Sequence, residues 1–142
     1  MKTFHTELSV RFGDVDLARI MYYPHITNYI HIAMEEFIQE ACGFSYYQLI
    51  SERGIGFPIV NLTTDFRQGL PYGTKIQAEV AVQKIGNTSL TLRIRFYKNT
   101  ISPETLAVES VNTLVCVQLH DFVKIRVPDD VREKFVAYML TK

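Results

Sequence analysis

Two aspartates, Asp14 and Asp16, stand in the segment that precedes the clearest helical pattern of the chain. An aspartate in a loop is usually a turn former, so its presence alone says little about chemistry. This loop is rich in apolar residues, however, and it leads into Tyr22-Tyr23-Pro24, which predicts a packed rather than a solvated loop. The last free N–H before the proline belongs to Tyr23. A carboxylate near that N–H can act on a carbonyl whose oxygen the N–H receives, as acyl transfer requires.

A long helix must position these groups. Apolar residues recur over residues 24–41 at the i, i+3, i+4, i+7 spacing of a helix with one buried face. Pro24 suits the first turn because its missing N–H would have no intrahelical partner there, and Gly43 lies just past the predicted end. The N-terminus of such a helix carries unpaired N–H groups and a partial positive charge. The pattern therefore places an acidic loop directly on a helix end that can stabilise negative charge.

Alternating apolar and polar residues predict strands before and after this helix. The first strand covers residues 4–12, a short second helix covers residues 45–53, and another short helix begins at Pro128. The later strands are predicted over residues 58–67, 75–82, 90–96 and 105–119, the last of them apolar enough to be central. The order β-α-β-β-β-β predicts an α+β fold, with antiparallel meander strands and one helix against one face. We expect a single domain over residues 1–142.

Composition excludes several classes of protein. The chain has 142 residues, 47% hydrophobic and 21% charged, as a soluble globular protein has. Its 15 basic residues balance its 15 acidic ones, so no nucleic-acid or membrane partner is indicated. The N-terminus lacks the apolar core of a signal peptide, and we expect a cytoplasmic protein. Cys42 and Cys116 are therefore predicted to be thiols rather than a disulfide.

Metal and nucleotide chemistry find no support in the motifs. The sequence has no C-x-x-C, no H-E-x-x-H, no phosphate-binding glycine loop and no G-x-S-x-G nucleophile elbow. His31 and Glu35 have i, i+4 spacing, which a pair on the helix surface explains better than a pair of metal ligands. The loop aspartates and the helix N-terminus remain as the candidate site.

The sequence around that site resembles a known family. The run Phe12-Gly13-Asp14-Val15-Asp16, continued by Ile20-Met21-Tyr22-Tyr23-Pro24 and the helix, resembles the hotdog-fold 4-hydroxybenzoyl-CoA thioesterases, including the YbgC-like acyl-CoA thioesterases. The run Gly56-Phe57-Pro58-Ile59-Val60 is similar to that family's entry into its second strand. The resemblance implies a hotdog fold over essentially the whole chain, with a five-stranded antiparallel sheet wrapped around one long central helix.

The resemblance also implies a function and a site. The expected reaction is hydrolysis of an acyl thioester to an acid and a thiol, without a metal or cofactor, CoA being part of the substrate. Asp16 is the expected nucleophile or general base, and the backbone N–H of Tyr23 the oxyanion donor. The active site is expected between two subunits of a homodimer or homotetramer. Further substrate-binding candidates are Arg19, Pro24 and His25 beside the loop, Ile59, Val60 and Asn61 on the partner's second strand, and Lys84.

The chain departs from the family pattern at several positions. Arg19 stands where a glycine is frequent, His25 where an asparagine is common, and His31 where an acid is common. Some members hold the CoA phosphates with basic residues at the hairpin before the fourth strand, where this chain has Ile85-Gly86-Asn87-Thr88 and only Lys84 nearby. Both CoA and an acyl carrier protein therefore remain possible acyl donors, and the acyl group itself stays open.

Two alternative functions fit the same scaffold. A hotdog hydratase or dehydratase would act on acyl thioesters with a histidine and an acid, but the segment around His25 lacks the usual surroundings of such a site. A non-catalytic acyl-binding or regulatory domain would bind a thioester without cleaving it. Turnover of real thioesters, compared with hydration of crotonyl-CoA, separates these possibilities.

Overall fold

A computed structural model of the chain describes residues 2–140. The α-helices within that range are α1 (Tyr23–Glu36), α2 (Tyr46–Ser51) and α3 (Asp129–Val136). The strands are β1 (Phe4–Ser9), β2 (Ile55–Gly56), β3 (Ile59–Phe66), β4 (Lys75–Ile85), β5 (Ser89–Lys98), β6 (Leu106–Val115), β7 (Val117–Gln118) and β8 (Val123–Lys124). As predicted, one long helix precedes a series of antiparallel strands.

The main sheet has five strands in the order β1-β4-β5-β6-β3, with every neighbouring pair antiparallel. Only β4, β5 and β6 form the predicted meander, because β3 crosses to the far side of β6. The predicted strand over residues 105–119 is wrong in its extent, because it breaks at Cys116 into β6 and β7. Its expected central place is confirmed, since β6 lies between β5 and β3 inside the sheet. The short strands β2, β7 and β8 form a separate sheet of three strands.

Helix α1 covers the inner face of the main sheet with the apolar stripe that its spacing predicts. Its buried residues are Ile26, Tyr29, Ile30, Ala33 and Met34. The helix continues as one π-helical turn over Phe37–Ala41, and Gly43 beyond it adopts a left-handed φ of 77°. Phe37 is fully buried against the rings of Phe135 and Tyr138. The predicted helix over residues 24–41 therefore exists, with a change of hydrogen-bond pattern near its end.

Both cysteines are free thiols in the core, as the sequence predicts. Burial raises the pKa of Cys42 to about 12 and that of Cys116 to about 11. The core cluster that contains them extends along the chain from Val10 to Tyr138. The single domain over residues 1–142 stays a prediction. No helix in the described part of the chain is long and apolar enough to cross a membrane.

Strand β3 ends the sheet as a long and unusually apolar edge. Residues 2–140 provide a neighbouring strand on one side of it only, namely β6. Its side chains on both faces are solvent-exposed, with the sole exception of Thr64, which is half-buried. The exposed apolar members are Ile59, Val60, Leu62 and Phe66. Protein edge strands are normally short, charged or covered, so this edge is suited to pairing with another strand.

The outer face of the sheet is polar by contrast. One cross-strand row runs His5, Glu79, Arg95, Glu109 and Asp65 from β1 to β3. Within it, His5 Nε2 lies 3.1 Å from a Glu79 oxygen, and Arg95 Nε donates to Glu109 at 2.5 Å. Opposite charges on neighbouring strands stabilise the pairing from β1 to β6. The like charges of Glu109 and Asp65 share Arg67, whose guanidinium lies 3.8 Å from each. The outer face of the sheet is therefore a charged surface, in contrast to the apolar edge at β3.

Candidate active site

The loop between β1 and α1 is a tight hairpin. Val15 and Met21 face each other in an antiparallel bridge, and the Asp16 N–H donates to the Ile20 carbonyl at 3.1 Å. Met21 is buried, and its N–H donates to the Leu70 carbonyl at 2.8 Å. The hairpin is thus anchored in the core through its second arm, and the first arm with Asp16 is held by pairing to it.

Asp16 lies at the solvent-exposed end of this hairpin. Its Oδ1 accepts the Ala18 N–H at 2.8 Å, and residues 2–140 provide no hydrogen-bond partner for its other oxygen. The carboxylate lines an open depression of about 600 Å³ together with Phe12, Gly13, Val15 and Leu17. Leu17 is fully exposed. The prediction of a packed loop is therefore wrong for its tip, because the tight turn directs Leu17 outward, and right for the arms that carry Val15 and Met21.

Arg19 makes the turn possible by adopting a left-handed φ of 70°. Its N–H donates to the Asp16 carbonyl at 2.9 Å, which closes the hairpin. A residue with a Cβ pays roughly 1–2 kcal/mol in that conformation, whereas glycine adopts it freely. The glycine that is frequent in the resembled family therefore has a backbone explanation at this position.

We expect Arg19→Gly to leave the free energy of unfolding unchanged or to raise it by up to about 1 kcal/mol, because relief of the left-handed strain offsets the greater freedom of the unfolded chain. Arg19→Val should lower it, since a β-branched residue tolerates this φ poorly. Urea unfolding of the three proteins measures both effects. A loss of stability in Arg19→Gly would show that the arginine side chain, rather than the turn, is what matters there.

Tyr23 is the first residue of α1, and no acceptor within the described range, residues 2–140, takes its backbone N–H. The Tyr22 carbonyl, which shares a peptide plane with the Tyr23 N–H, accepts the His25 N–H at 2.9 Å. Because C=O and N–H point in opposite directions across a trans peptide, the Tyr23 N–H points away from the helix. The ring of Tyr23 lies 6.3 Å from that of Phe66 at the end of β3.

Asp14 is held very differently from Asp16. Its Oδ2 accepts the hydroxyl of Tyr29 at 2.5 Å, and its backbone carbonyl accepts the Tyr22 N–H at 2.8 Å. His25 Nδ1 lies 3.0 Å from Oδ1, although its angle is not that of a hydrogen bond. Asp14 is therefore occupied with contacts inside the chain, whereas Asp16 keeps an oxygen available for a substrate.

The predicted site residues fall into two groups. Asp16, Arg19, Tyr23, Pro24 and His25 lie together on the hairpin and the first turn of α1. The other candidates lie far from them within one chain. Strand β3 reaches the site with its last residue, Phe66, which lies beside Tyr23, whereas Ile59, Val60 and Asn61 are at its other end. Lys84 is at the end of β4 that is far from the hairpin. At ~3.3 Å per residue these separations are roughly 20 Å along β3 and roughly 30 Å along β4.

Two residues near the site were not predicted. Phe66 contacts Tyr23, and the alternation of β3 would have placed it on the inner face beside the helix. Tyr29 has the spacing of a core residue, so nothing in the pattern indicates its bond to Asp14. As for metals, no group of three or more His, Cys, Asp or Glu side chains in the described range is arranged to hold an ion.

The sequence and the fold match known thioesterases. The profile of the family described as the thioesterase-like superfamily matches residues 10–135. The chain is 26% identical over 129 residues to a 1,4-dihydroxy-2-naphthoyl-CoA hydrolase of Nostoc punctiforme, covering 91% of this chain and 84% of the relative.

Solved structures agree in fold. A thioesterase-superfamily protein from Jannaschia sp. CCS1 superposes with a TM-score of 0.88 at 21% identity, covering 98% of this chain and 94% of the other. A gentisyl-coenzyme A thioesterase superposes with a TM-score of 0.78 at 28% identity, covering 94% and 99%. The expected hotdog architecture is confirmed. The chain therefore belongs to the thioesterase-like superfamily and is a hotdog-fold thioester hydrolase.

Proposed function

We propose that this hydrolase cleaves acyl-CoA with the Asp16 carboxylate and the Tyr23 N–H as its catalytic groups. The observation that carries the proposal is that one hairpin and the helix directly after it hold both groups. The hairpin that exposes a free oxygen of Asp16 leads directly into the helix end whose first N–H points outward. Asp14, the other carboxylate of the hairpin, has one oxygen bonded to the Tyr29 hydroxyl and the other 3.0 Å from His25 Nδ1, whereas the second oxygen of Asp16 faces solvent.

The proposed chemistry has two routes. In the first, an Asp16 oxygen attacks the thioester carbonyl carbon, the CoA thiolate leaves, and water hydrolyses the resulting anhydride to the acid and free Asp16. In the second, Asp16 takes a proton from a water molecule that attacks the same carbon, the C–S bond then breaks, and the CoA thiolate leaves and takes up that proton. In both, negative charge develops on the carbonyl oxygen, where the Tyr23 N–H and the positive end of the α1 dipole stabilise it.

We further propose that two copies of the chain complete the site. Asp16 is exposed and bordered by exposed apolar side chains, so a lone subunit leaves the reaction in water. Antiparallel pairing of two β3 edges about a two-fold axis would place the Ile59 end of one strand beside the Phe66 end of the other. Ile59, Val60 and Asn61 of the second copy would then approach Tyr23 of the first. A homodimer thus unites the two separated groups of candidate residues.

The proposed acyl group is aromatic and hydroxylated. Two relatives point to it by name, the 1,4-dihydroxy-2-naphthoyl-CoA hydrolase and the gentisyl-coenzyme A thioesterase. The exposed rings of Tyr23 and Phe66 beside the oxyanion donor also suit an aromatic group, which stacks on such rings edge to face. CoA is the proposed carrier, in a cytoplasmic enzyme.

A substrate panel tests this proposal. We expect kcat/KM for 1,4-dihydroxy-2-naphthoyl-CoA and 4-hydroxybenzoyl-CoA to exceed that for hexanoyl-CoA by at least about 10-fold, a difference that pocket contacts readily supply. The same acids on acyl carrier protein should react more slowly. Preference for aliphatic chains or for the carrier protein would contradict the corresponding part of the proposal.

The proximity of His25 to Asp14 is the observation that favours the alternative function of a hydratase, because hydratases use a histidine with an acid. Crotonyl-CoA in the same panel addresses it. Hydration of crotonyl-CoA faster than hydrolysis of every thioester tested would favour that reaction over the proposed one.

A further inference from the structure

Asp14 connects the catalytic hairpin to the second turn of α1. The Tyr29 hydroxyl donates to Asp14 Oδ2 at 2.5 Å, and the same hydroxyl oxygen accepts the Arg11 N–H at 3.0 Å. Tyr29 is only 4% exposed. Burial, together with its bond to Asp14, raises the pKa of Tyr29, so the hydroxyl keeps the proton that it donates. A bond of this kind to a carboxylate is about twice as strong as one between neutral groups.

The backbone of Asp14 carries this connection to the oxyanion donor. Its carbonyl accepts the Tyr22 N–H at 2.8 Å, while the Tyr22 carbonyl accepts the His25 N–H at 2.9 Å. Tyr22 is therefore fixed on both sides. Because the Tyr22 carbonyl and the Tyr23 N–H belong to one rigid peptide unit, fixing the first sets the direction of the second.

We propose that Tyr29, acting through Asp14, is a positioning residue that aims the Tyr23 N–H at the developing oxyanion. The inference rests on the proposed function of Tyr23. It assigns Asp14 a role distinct from that of Asp16: one aspartate reacts, and the other holds the peptide that stabilises the transition state. A displacement of about 1 Å in such a donor is enough to lower a rate about 100-fold.

Tyr29→Phe removes the hydroxyl and keeps the buried ring. We expect kcat to fall about 10- to 100-fold with KM changed less than about threefold, because the lost alignment matters chiefly in the transition state. Tyr138→Phe is the matched control, since Tyr138 is also buried but packs on Phe37 outside this network. Asp14→Asn keeps an oxygen for Tyr29 and should retain most activity, whereas Asp14→Ala should resemble Tyr29→Phe.

A spectroscopic measurement distinguishes an effect of Tyr29 on the orientation of the Tyr23 N–H from an effect on the stability of the whole protein. In an Asp16→Asn background, bound 4-hydroxybenzoyl-CoA should show a thioester C=O stretch shifted to lower frequency by the Tyr23 N–H. Adding Tyr29→Phe should reverse most of that shift, and adding Tyr138→Phe should leave it in place. A purely structural role for Tyr29 would lower the melting temperature without changing the frequency.

The outcomes for the two proposals are distinguishable. A shift that persists in Asp16→Asn/Tyr29→Phe, or unchanged kcat in Tyr29→Phe, overturns the positioning role alone. No shift in the Asp16→Asn protein with Tyr29 intact, despite bound thioester, overturns Tyr23 as the oxyanion donor and this inference with it.

Discussion

Asp16→Asn should lower kcat for thioester hydrolysis by at least about 10³-fold while the protein stays folded, in line with the loss of other catalytic nucleophiles and bases. The amide oxygen of asparagine can still accept the Ala18 N–H, so the hairpin keeps its shape. The neutral amide, however, neither attacks a carbonyl nor takes a proton from water at neutral pH. Steady-state kinetics measure the fall in kcat, and a circular dichroism spectrum checks that the protein stays folded.

Asp14→Asn is the internal control, because it makes the same chemical change two residues away. It should lower kcat only a few-fold. Near-normal activity of Asp16→Asn would remove Asp16 from the reaction, and a reversal of the two effects would assign the chemistry to Asp14. A single turnover in water labelled with heavy oxygen then tests the route, since label found in Asp16 indicates an anhydride intermediate.

Leu62→Lys should yield a subunit that does not pair and hydrolyses thioesters at least about 100-fold more slowly. Leu62 lies on the inner face of β3, opposite Asn112 of β6, and is 39% exposed in one chain. Under the proposed pairing it becomes buried, where an unpaired ammonium group is strongly unfavourable. Sedimentation velocity at the protein concentration of the activity assay measures the oligomeric state, and the assay itself measures the rate of hydrolysis.

Thr63→Lys provides the matched comparison. Thr63 is the next residue of the same strand, so its side chain points to the polar outer face, opposite Val111. The same charge there should leave assembly and activity nearly unchanged. If Leu62→Lys remains an active dimer, β3 is not the interface. If it is monomeric and fully active, one chain alone contains the whole site.

The elements that local patterns determine were predicted well. The helical period placed the long helix within a residue of the observed start at Tyr23, and Gly86-Asn87 marked the hairpin between β4 and β5. Positions set by partners distant in sequence were not predictable. Nothing in residues 59–66 states that they pair with β6 at the edge of the sheet. Strands of two residues, such as β2 and β7, are too short to show a period.

The candidate site divides in the same way. The loop aspartates and the Tyr23 N–H were identified from spacing, and the choice of Asp16 over Asp14 came from the family resemblance. The structure supplies a physical difference between the two that spacing cannot, because it depends on the hydroxyl of Tyr29 fifteen residues away. The exposure of Leu17 was missed for a related reason: composition describes an apolar loop, and only the turn geometry decides which side chains leave the core.

The exposed edge of β3 also makes catalysis a matter of mass action. Under the proposed pairing, the residues that hold two copies together are the residues that enclose the substrate. Dilution that dissociates the dimer would then remove the acyl pocket and, in the same step, the stabilisation that pairing gives to each subunit. Selection on the acyl group and selection against aggregation would act on the same few side chains, Ile59, Val60 and Leu62, so neither property could drift independently of the other.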